Sequence, residues 1–287
     1  MSFIENQGTR IYWDEQGRGE PILLIMGLGY ASCMWHRVRP ALAQHYRTLA
    51  FDNRGVGLSD VPSGPYSIAT MAADAAAVLD AAGVVRAHVF GVSMGGMIAQ
   101  EFALQFPGRT ASLILGCTSS GASSAIRAES KVIDILRMRD MTPEQARTAI
   151  LPYIYDASTP QALIDEDISL RRNWLPSPQG YTAQLQGIRA WEAYSRIAQI
   201  TAPTLIIHGR SDGLIPAGNA ELIARQIPGA KLVLLEHASH LFLTDQPVAA
   251  LQEIFAFLSS RQAGELASPL RRATHGDIPG EHISSSK

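Results

Sequence analysis

One stretch of the chain decides the fold, and it reads Val89-Phe90-Gly91-Val92-Ser93-Met94-Gly95-Gly96-Met97-Ile98-Ala99. An apolar run breaks into glycines around a single serine, and apolar residues then return at helical spacing. This pattern is typical of a buried strand that turns sharply into a helix, with Ser93 at the turn. Glycine at Gly91 and Gly95 leaves room for close strand–helix contact, and the strained turn presents the Ser93 hydroxyl to a substrate. Alone, the pattern also fits a structural turn, so the rest of the chain must supply catalytic partners.

The size and composition of the chain favour a large α/β core. The chain has 287 residues, of which 46% are hydrophobic and 17% are charged, enough for one core with or without a small inserted domain. The formal net charge is −2, without long runs of either sign, so we expect neither a nucleic-acid nor a membrane partner.

Cysteine usage and the apolar runs indicate the compartment. The two cysteines, Cys33 and Cys117, cannot form a disulfide framework and belong to no zinc motif, so we expect free thiols and no metal. The first residues lack the pattern of a signal peptide, and runs such as 21–28 are too short to cross a bilayer. We therefore expect a cytoplasmic protein.

Short apolar runs alternate with helical patterns through most of the chain, which predicts a mostly parallel sheet covered by helices on both faces. Between residues 122 and 198 the periodicity is helical only, and prolines and aromatic residues are frequent. We therefore divide the chain into residues 1–121 as the first part of the core, 122–198 as a helical cap and 199–262 as the second part of the core. Residues 263–287 are polar and contain glycine, serine and proline, which predicts a disordered tail.

Candidate partners for Ser93 follow two later strands. In open α/β sheets, ligands bind beyond the carboxyl ends of the strands. Asp212 comes just after the apolar run 204–207, and His237 and His240 come just after the run 231–235. An imidazole can take the proton of a serine hydroxyl, and a buried carboxylate can hold that imidazole in one tautomer. The chain order Ser93, Asp212, His240 then gives nucleophile, acid and base.

The reaction also needs N–H donors that stabilise a tetrahedral oxyanion. Met94, directly after the nucleophile, offers one backbone N–H. The glycine loop Gly27-Leu28-Gly29 follows another buried strand and offers a second donor, which we assign to Leu28.

Together, these stretches resemble the α/β-hydrolase superfamily across residues 1 to about 260. The resemblance rests on the glycine loop, the segment Asp52–Ser59, the Ser93 turn, the Asp212 loop ending in Ile215-Pro216, and His240 followed by Asp245-Gln246-Pro247. It implies an α/β-hydrolase fold, with a mostly parallel eight-stranded sheet, helices on both faces and an inserted helical cap. The sequence around Ser93, with Gln100, most resembles small carboxylesterases and hydrolases of the 3-oxoadipate enol-lactonase type.

The chain departs from this family pattern at two positions. Many relatives carry histidine where Met26 precedes the glycine loop, and many carry glycine where Ser239 precedes the catalytic histidine. Relatives that dehalogenate or open epoxides use an aspartate nucleophile, so Ser93 argues against both activities.

Several residues have competing interpretations. By resemblance, the spacing to Asp245 favours His240 over His237 as the base. Some relatives place the acid after the strand that follows the nucleophile helix, but the segment Leu115–Ser120 holds no carboxylate here, which favours Asp212. Structural interpretations are preferred for the other polar residues: solvated helix positions for Asp165 and Asp167, a loop-fixing pair for Asp52 and Arg54, and core histidines for His88 and His208.

The preferred function is hydrolysis of a small-molecule carboxylic ester or lactone through a Ser93 acyl-enzyme, without a cofactor. Candidate substrate-binding residues are Gly27, Gly29, Trp174, Trp191 and Tyr194. The same triad could serve C–C bond hydrolysis or cofactor-free perhydrolysis with haloperoxidase activity, and a receptor-like ligand-binding protein is a third alternative. The oligomeric state is open, with a homodimer as one alternative.

Overall fold

A computed structural model describes residues 2–121, 123–138 and 140–266 of the chain. Its centre is one eight-stranded sheet in the order β1-β2-β4-β3-β5-β6-β7-β8. The strands are β1 Ser2–Asn6, β2 Thr9–Gln16, β3 Pro21–Ile25, β4 Arg47–Phe51, β5 Ala87–Val92, β6 Thr110–Gly116, β7 Thr204–Gly209 and β8 Lys231–Leu235. β1, β2 and β4 pair antiparallel, and the pairings from β4 through β8 are parallel. The predicted mostly parallel, eight-stranded sheet is confirmed.

The apolar strands are buried on both faces, as their unbroken hydrophobic sequences require. Successive residues of a strand point to opposite faces, so Leu23 and Val89 belong to one hydrophobic cluster while Leu24 and Phe90 belong to the other. Each cluster continues into helices that cover its face of the sheet. This two-sided burial holds the carboxyl ends of β3, β5, β7 and β8 at one edge of the sheet.

The helices cover both faces and form the insertion between β6 and β7. They are α1 Arg39–Leu42, α2 Ile68–Ala81, α3 Met94–Gln105, α4 Ser130–Leu136, α5 Pro143–Ile154, α6 Gln161–Arg172, α7 Pro178–Ala190, α8 Gly218–Gln226, α9 Phe242–Asp245 and α10 Pro247–Leu266. Helices α4–α7 are called the cap below. No helix in the described ranges is long and apolar enough to span a membrane.

Two local expectations differ from the structure. The pattern at 35–44 predicts one helix, but this region holds a 3₁₀ turn at Ser32–Trp35 and the short helix α1. Pro40 has no N–H to donate, so a continuous helical ladder cannot pass through it. Helix α10 continues to Leu266, so residues 263–266 of the predicted tail are helical, and residues 267–287 lie outside the described ranges.

The cap contacts the core through α5 and through α7. At the end of α5, the carbonyl of Tyr153 accepts a hydrogen bond from Gly213 N–H at 3.1 Å, and that of Ile154 accepts one from Leu241 N–H at 2.8 Å. Helix α7 approaches the core backbone so closely that a Cβ on Gly180 would lie 2.1 Å from the carbonyl oxygen of Gly55.

Candidate active site

Ser93 lies between β5 and α3 in a backbone conformation that non-glycine residues rarely adopt, with φ 57° and ψ −122°. The surroundings hold it there, because Ser93 N–H donates to Gly116 O at 2.8 Å and Ser93 O accepts from Gly96 N–H at 2.9 Å. A Cβ on Gly91 would lie 2.0 Å from Gly95 O, and a Cβ on Gly95 would lie 2.1 Å from Ile25 O. The glycines around Ser93 are therefore required by backbone packing at the turn.

Asp212 lies in the loop after β7, and only 5% of its surface is exposed. Its Oδ1 accepts hydrogen bonds from the N–H groups of Leu214 at 2.9 Å and Ile215 at 2.8 Å. Its Oδ2 accepts one from Nδ1–H of His240 at 2.8 Å. Burial alone would raise the pKa of Asp212, but the charge of His240 and hydrogen bonds from His208 and His240 hold it well below its ordinary value. The carboxylate is thus fixed in its ionised form.

His208, at the end of β7, supports the same carboxylate. Its Nε2 lies 2.8 Å from Ile215 O and 3.1 Å from Asp212 Oδ2. Both neighbours can only accept, so Nε2 carries a proton. The residue is a buried, hydrogen-bonded histidine, as its place in a strand suggests, and it also contacts Asp212.

His240 is buried in the loop after β8, and Ser239 beside it fixes that loop. Ser239 N–H donates to Asp245 Oδ2 at 2.7 Å, and Ser239 Oγ lies 3.2 Å from both Tyr153 O and Ser211 O. The serine that replaces the family's usual glycine therefore has its own structural use. His237 lies in the same loop but is exposed, and the structure brings His240 to Asp212.

Leu28 and Met94 line the same cavity as Ser93 and His240, which is called the main cavity below. Among the described residues, no hydrogen-bond acceptor is found for either backbone N–H. The glycine loop is held by Gly29 N–H donating to Gln184 Oε1 at 2.9 Å and by Asn53 Nδ2 donating to Met26 O at 2.9 Å. These bonds leave the Leu28 N–H available to a ligand.

The main cavity has a volume of about 430 Å³ and lies between the sheet edge and the cap. Its walls are mostly apolar, and the aliphatic cap residues that line it are Ile133, Ile135, Leu136, Ile150, Ile154, Leu185 and Ile188. Arg127, Arg147 and Arg171 also line it, whereas no Asp or Glu does within the described ranges. The cavity can therefore accept an apolar molecule next to Ser93.

The five sequence-predicted binding residues occupy different places. Gly27 lines the main cavity, and Gly29 lies next to it with its N–H bonded to Gln184. Trp174 instead lines a second cavity of about 420 Å³, together with Cys33 and His36. Trp191 is buried and its indole N–H donates to Glu101 Oε2 at 2.8 Å, and Tyr194 packs against the core. The three aromatic residues thus lie outside the lining of the main cavity. They pack where the cap joins the core.

The expectation that Asp167 is a solvated helix position is wrong, because only 1% of its surface is exposed. Its Oδ1 lies 2.8 Å from Arg37 Nη2, and its Oδ2 accepts from Thr244 Oγ1 at 2.7 Å and from Tyr155 Oη at 3.1 Å. Helix α6 turns this residue towards the core, whereas Asp165, two positions earlier, is exposed.

Asp52 and Arg54 are not paired with each other as predicted. Arg54 Nε donates to Asp74 Oδ2 at 2.7 Å on α2. Asp52 accepts from Ser32 N–H at 2.7 Å and from Leu58 N–H at 2.9 Å. Each residue stabilises the loops beside the glycine loop, but through a separate partner.

Two residues that support or line the main cavity were not predicted from the sequence. Gln184 on α7 is fully buried, and its Nε2 donates to Arg54 O at 2.8 Å while its Oε1 holds Gly29. Arg171 at the end of α6 lines the cavity. The sequence signal for both is weak, since glutamine and arginine at such helix positions are usually exposed.

One cluster has the composition of a metal site. Cys117, Asp212 and His240 are buried and offer ligand atoms within 4.8 Å of one another. Hydrogen bonds explain the cluster, because both Asp212 oxygens already accept N–H groups and the Cys117 thiol lies 3.6 Å from the acceptor Ser239 O. Burial raises the pKa of the Cys117 thiol, so the thiolate that metals prefer is disfavoured.

The chain matches the family model for the alpha/beta hydrolase fold over residues 20–150 and 168–247. It is 30% identical over 250 residues to a putative carbamate hydrolase RutD of Azorhizobium caulinodans, a match that covers 86% of this chain and 94% of that protein. The chain therefore belongs to the α/β-hydrolase fold family, and hydrolases are among its relatives.

Two solved structures are similar over nearly their whole length. A thermophilic esterase from Thermogutta terrifontis is 27% identical with a TM-score of 0.80, and the match covers 91% of this chain and 99% of that one. The enol-lactonase from Burkholderia xenovorans LB400 is 25% identical with a TM-score of 0.77, and the match covers 90% of this chain and all (100%) of that one.

Proposed function

We propose that the protein is a serine hydrolase that cleaves a carboxylic ester or lactone through an acyl-enzyme on Ser93. The observation that carries this proposal is the 2.8 Å hydrogen bond from His240 Nδ1 to the ionised Asp212 at a cavity that Ser93 also lines. Because Nδ1 carries the proton, Nε2 of a neutral His240 is left as the base.

In the first half-reaction, Ser93 Oγ attacks the carbonyl carbon while His240 takes the hydroxyl proton. The carbonyl oxygen becomes an oxyanion, which the N–H groups of Leu28 and Met94 stabilise. His240 then donates its proton to the departing alkoxide, and the C–O bond breaks to leave Ser93 acylated. Asp212 stabilises the transient imidazolium, since its carboxylate remains ionised in the buried site.

In the second half-reaction, a water molecule replaces the alcohol. His240 takes a proton from the water as it attacks the acyl carbon, and the same two N–H groups stabilise the second oxyanion. The acid product leaves when the Ser93–acyl bond breaks and His240 returns its proton to Oγ. The esterase and enol-lactonase among the similar structures support this substrate class.

The test combines covalent labelling with a substrate panel. A fluorophosphonate should add one label to the protein, and mass spectrometry of the digested protein should locate it on Ser93. Ser93→Ala should lose the label and lower kcat on short 4-nitrophenyl esters by about 10⁴-fold or more. An active wild-type protein whose Ser93 never takes the label would contradict the acyl-enzyme. A vinylogous diketone and a peroxide-dependent halogenation assay, run beside the ester panel, identify the alternative activities.

A further inference from the structure

Arg171 is a half-buried cation in the main cavity, and no described residue of opposite charge is paired with it. Its guanidinium carbon lies 3.7 Å from the centre of the Tyr30 ring, and both residues line the cavity. Its Nε is buried and has no hydrogen-bond acceptor, and no carboxylate pairs with the guanidinium within the described ranges.

The nearest carboxylate along the same helix is already in use. Asp167 lies one turn before Arg171 on α6, but its oxygens are occupied by Arg37, Thr244 and Tyr155. Arg171 therefore contacts the face of Tyr30 and, among the described residues, no anion, and a cation–π contact offsets only part of the cost of taking a charge out of water.

The rest of the cavity lining adds positive charge. Arg147 on α5 and Arg127 before α4 also line it, and neither has an ion-pair partner within the described ranges. Apolar walls weaken the screening between charges, so an anion in this cavity would be attracted more strongly than one in water.

A guanidinium presents a planar fork of N–H donors that fits the two oxygens of a carboxylate. Arg171 lines the same cavity as the two proposed oxyanion donors, Leu28 and Met94. We propose that Arg171 binds a carboxylate on the acyl group of the substrate, which makes the substrate a half-ester of a dicarboxylic acid. This inference rests on the proposed ester hydrolysis and specifies its substrate class.

The test compares two esters that differ in one charge, 4-nitrophenyl hydrogen adipate and its neutral counterpart 4-nitrophenyl methyl adipate. The wild-type kcat/KM for the anionic ester should exceed that for the neutral ester by about 10- to 100-fold, the range of a charge-assisted hydrogen bond. Arg171→Met should bring the ratio close to one, because it lowers kcat/KM for the anionic ester more than kcat/KM for the neutral ester. Arg171→Lys should keep part of the preference because it keeps the charge.

The matched control is Arg172→Met, which removes the same charge from the next, exposed position of α6 and should leave the ratio unchanged. A wild-type ratio of one or less would overturn the proposal. So would an equal loss on both esters in Arg171→Met, because that result indicates a structural role.

Binding to Ser93→Ala separates this inference from the proposed catalysis. Calorimetry should show methyl hydrogen adipate binding at least about tenfold more tightly than dimethyl adipate, and Arg171→Met should abolish the difference. If the wild-type protein cleaves no ester but this difference holds, the anion site stands and the esterase proposal fails. Equal binding of both adipates, or tighter binding of butyl phosphate than of methyl hydrogen adipate, would overturn the carboxylate assignment.

Discussion

Asp212 in the core and Asp167 in the cap are both buried carboxylates with a histidine nearby, but their partners differ in kind. Asp212 accepts hydrogen bonds from two backbone amides and from the titratable His240. Asp167 is paired with the permanently charged Arg37, and His36 Nε2 lies 3.3 Å from its Oδ1.

This difference in partners indicates which of the two buried carboxylates is suited to a catalytic role. Among the residues that the structure describes, no arginine or lysine pairs with Asp212, so its negative charge is available to stabilise a proton on His240 in the proposed reaction. The negative charge of Asp167 is already neutralised by Arg37, so it can only fix the position of α6 against the core. Burial and a nearby histidine therefore do not distinguish the proposed catalytic acid from a structural carboxylate, whereas the partners of the two carboxylates differ.

The largest expected effect on kcat comes from removing the charge of Asp212, the hydrogen-bond partner of His240. Asp212→Asn keeps the size of the side chain but removes the charge and disturbs the His240 tautomer, so kcat on a 4-nitrophenyl ester should fall by about 10⁴-fold. Asp167→Asn, as the matched change in the cap, should lower kcat by less than about tenfold. Equal losses in the two variants would show that the comparison between the two carboxylates is wrong.

The largest stability effect is expected in the cap. Asp167→Ala leaves the Arg37 guanidinium with the exposed Glu166 as its charged partner, and it should lower the free energy of unfolding by about 3–5 kcal/mol in urea titrations. Asp165→Ala on the exposed face of α6 serves as the control and should change it by less than about 0.5 kcal/mol. A change below about 1 kcal/mol for Asp167→Ala would mean that the cap is not anchored through this residue.

Acid should weaken the cap anchor. Burial raises the pKa of Asp167, but the adjacent His36, the hydrogen bond from Thr244 and the charge of Arg37 bring it below the ordinary value of 3.8. A lowered pKa in the folded state gives stability that is present above the unfolded pKa and is lost as the pH falls towards the folded pKa. The stability difference between the wild type and Asp167→Asn should therefore shrink below about pH 4, by up to about 1.4 kcal/mol per pH unit. A difference that stays constant down to about pH 3 in urea titrations would contradict this.

The smallest effect concerns a third buried carboxylate, Glu101, which is paired with Arg196 at 2.7 Å and bonded to the indole of Trp191. Trp191→Phe removes one of these hydrogen bonds and should cost about 1 kcal/mol of stability, measured by thermal unfolding. Since Trp191 lies outside the cavity lining, kcat and KM should stay within about twofold. A large rise in KM would place the indole in substrate binding.

The sequence was sufficient to predict those parts of the site whose position follows from the order of strands and turns along the chain. The Ser93 turn could be predicted from glycines that backbone packing requires, and Asp212 and His240 each follow a short apolar run that forms a strand. Parallel strands bring their carboxyl ends to one edge, so placing three residues after three strands predicts that they meet.

The cap could not be interpreted in the same way, because its residues depend on which face of each helix meets the core. Asp165 and Asp167 are chemically alike and two positions apart, yet α6 exposes one and buries the other. Trp191 was predicted to bind substrate, but its ring lies in the core. Arg171 was not predicted to do so, but its side chain lines the cavity. Helical periodicity gives an apolar face but not the neighbour against which that face packs.

The hydrogen bonds at the end of α5 have a consequence for protein engineering. Tyr153 and Ile154 hold the two loops that carry Asp212 and His240, through Gly213 N–H and Leu241 N–H. A chimera that joins this sheet to the cap of a relative would inherit substrate preference only if the foreign cap offered two carbonyls at the same places. Cap exchange in this chain should therefore begin after Ile154, so that recombination leaves the supports of both loops in the host sequence.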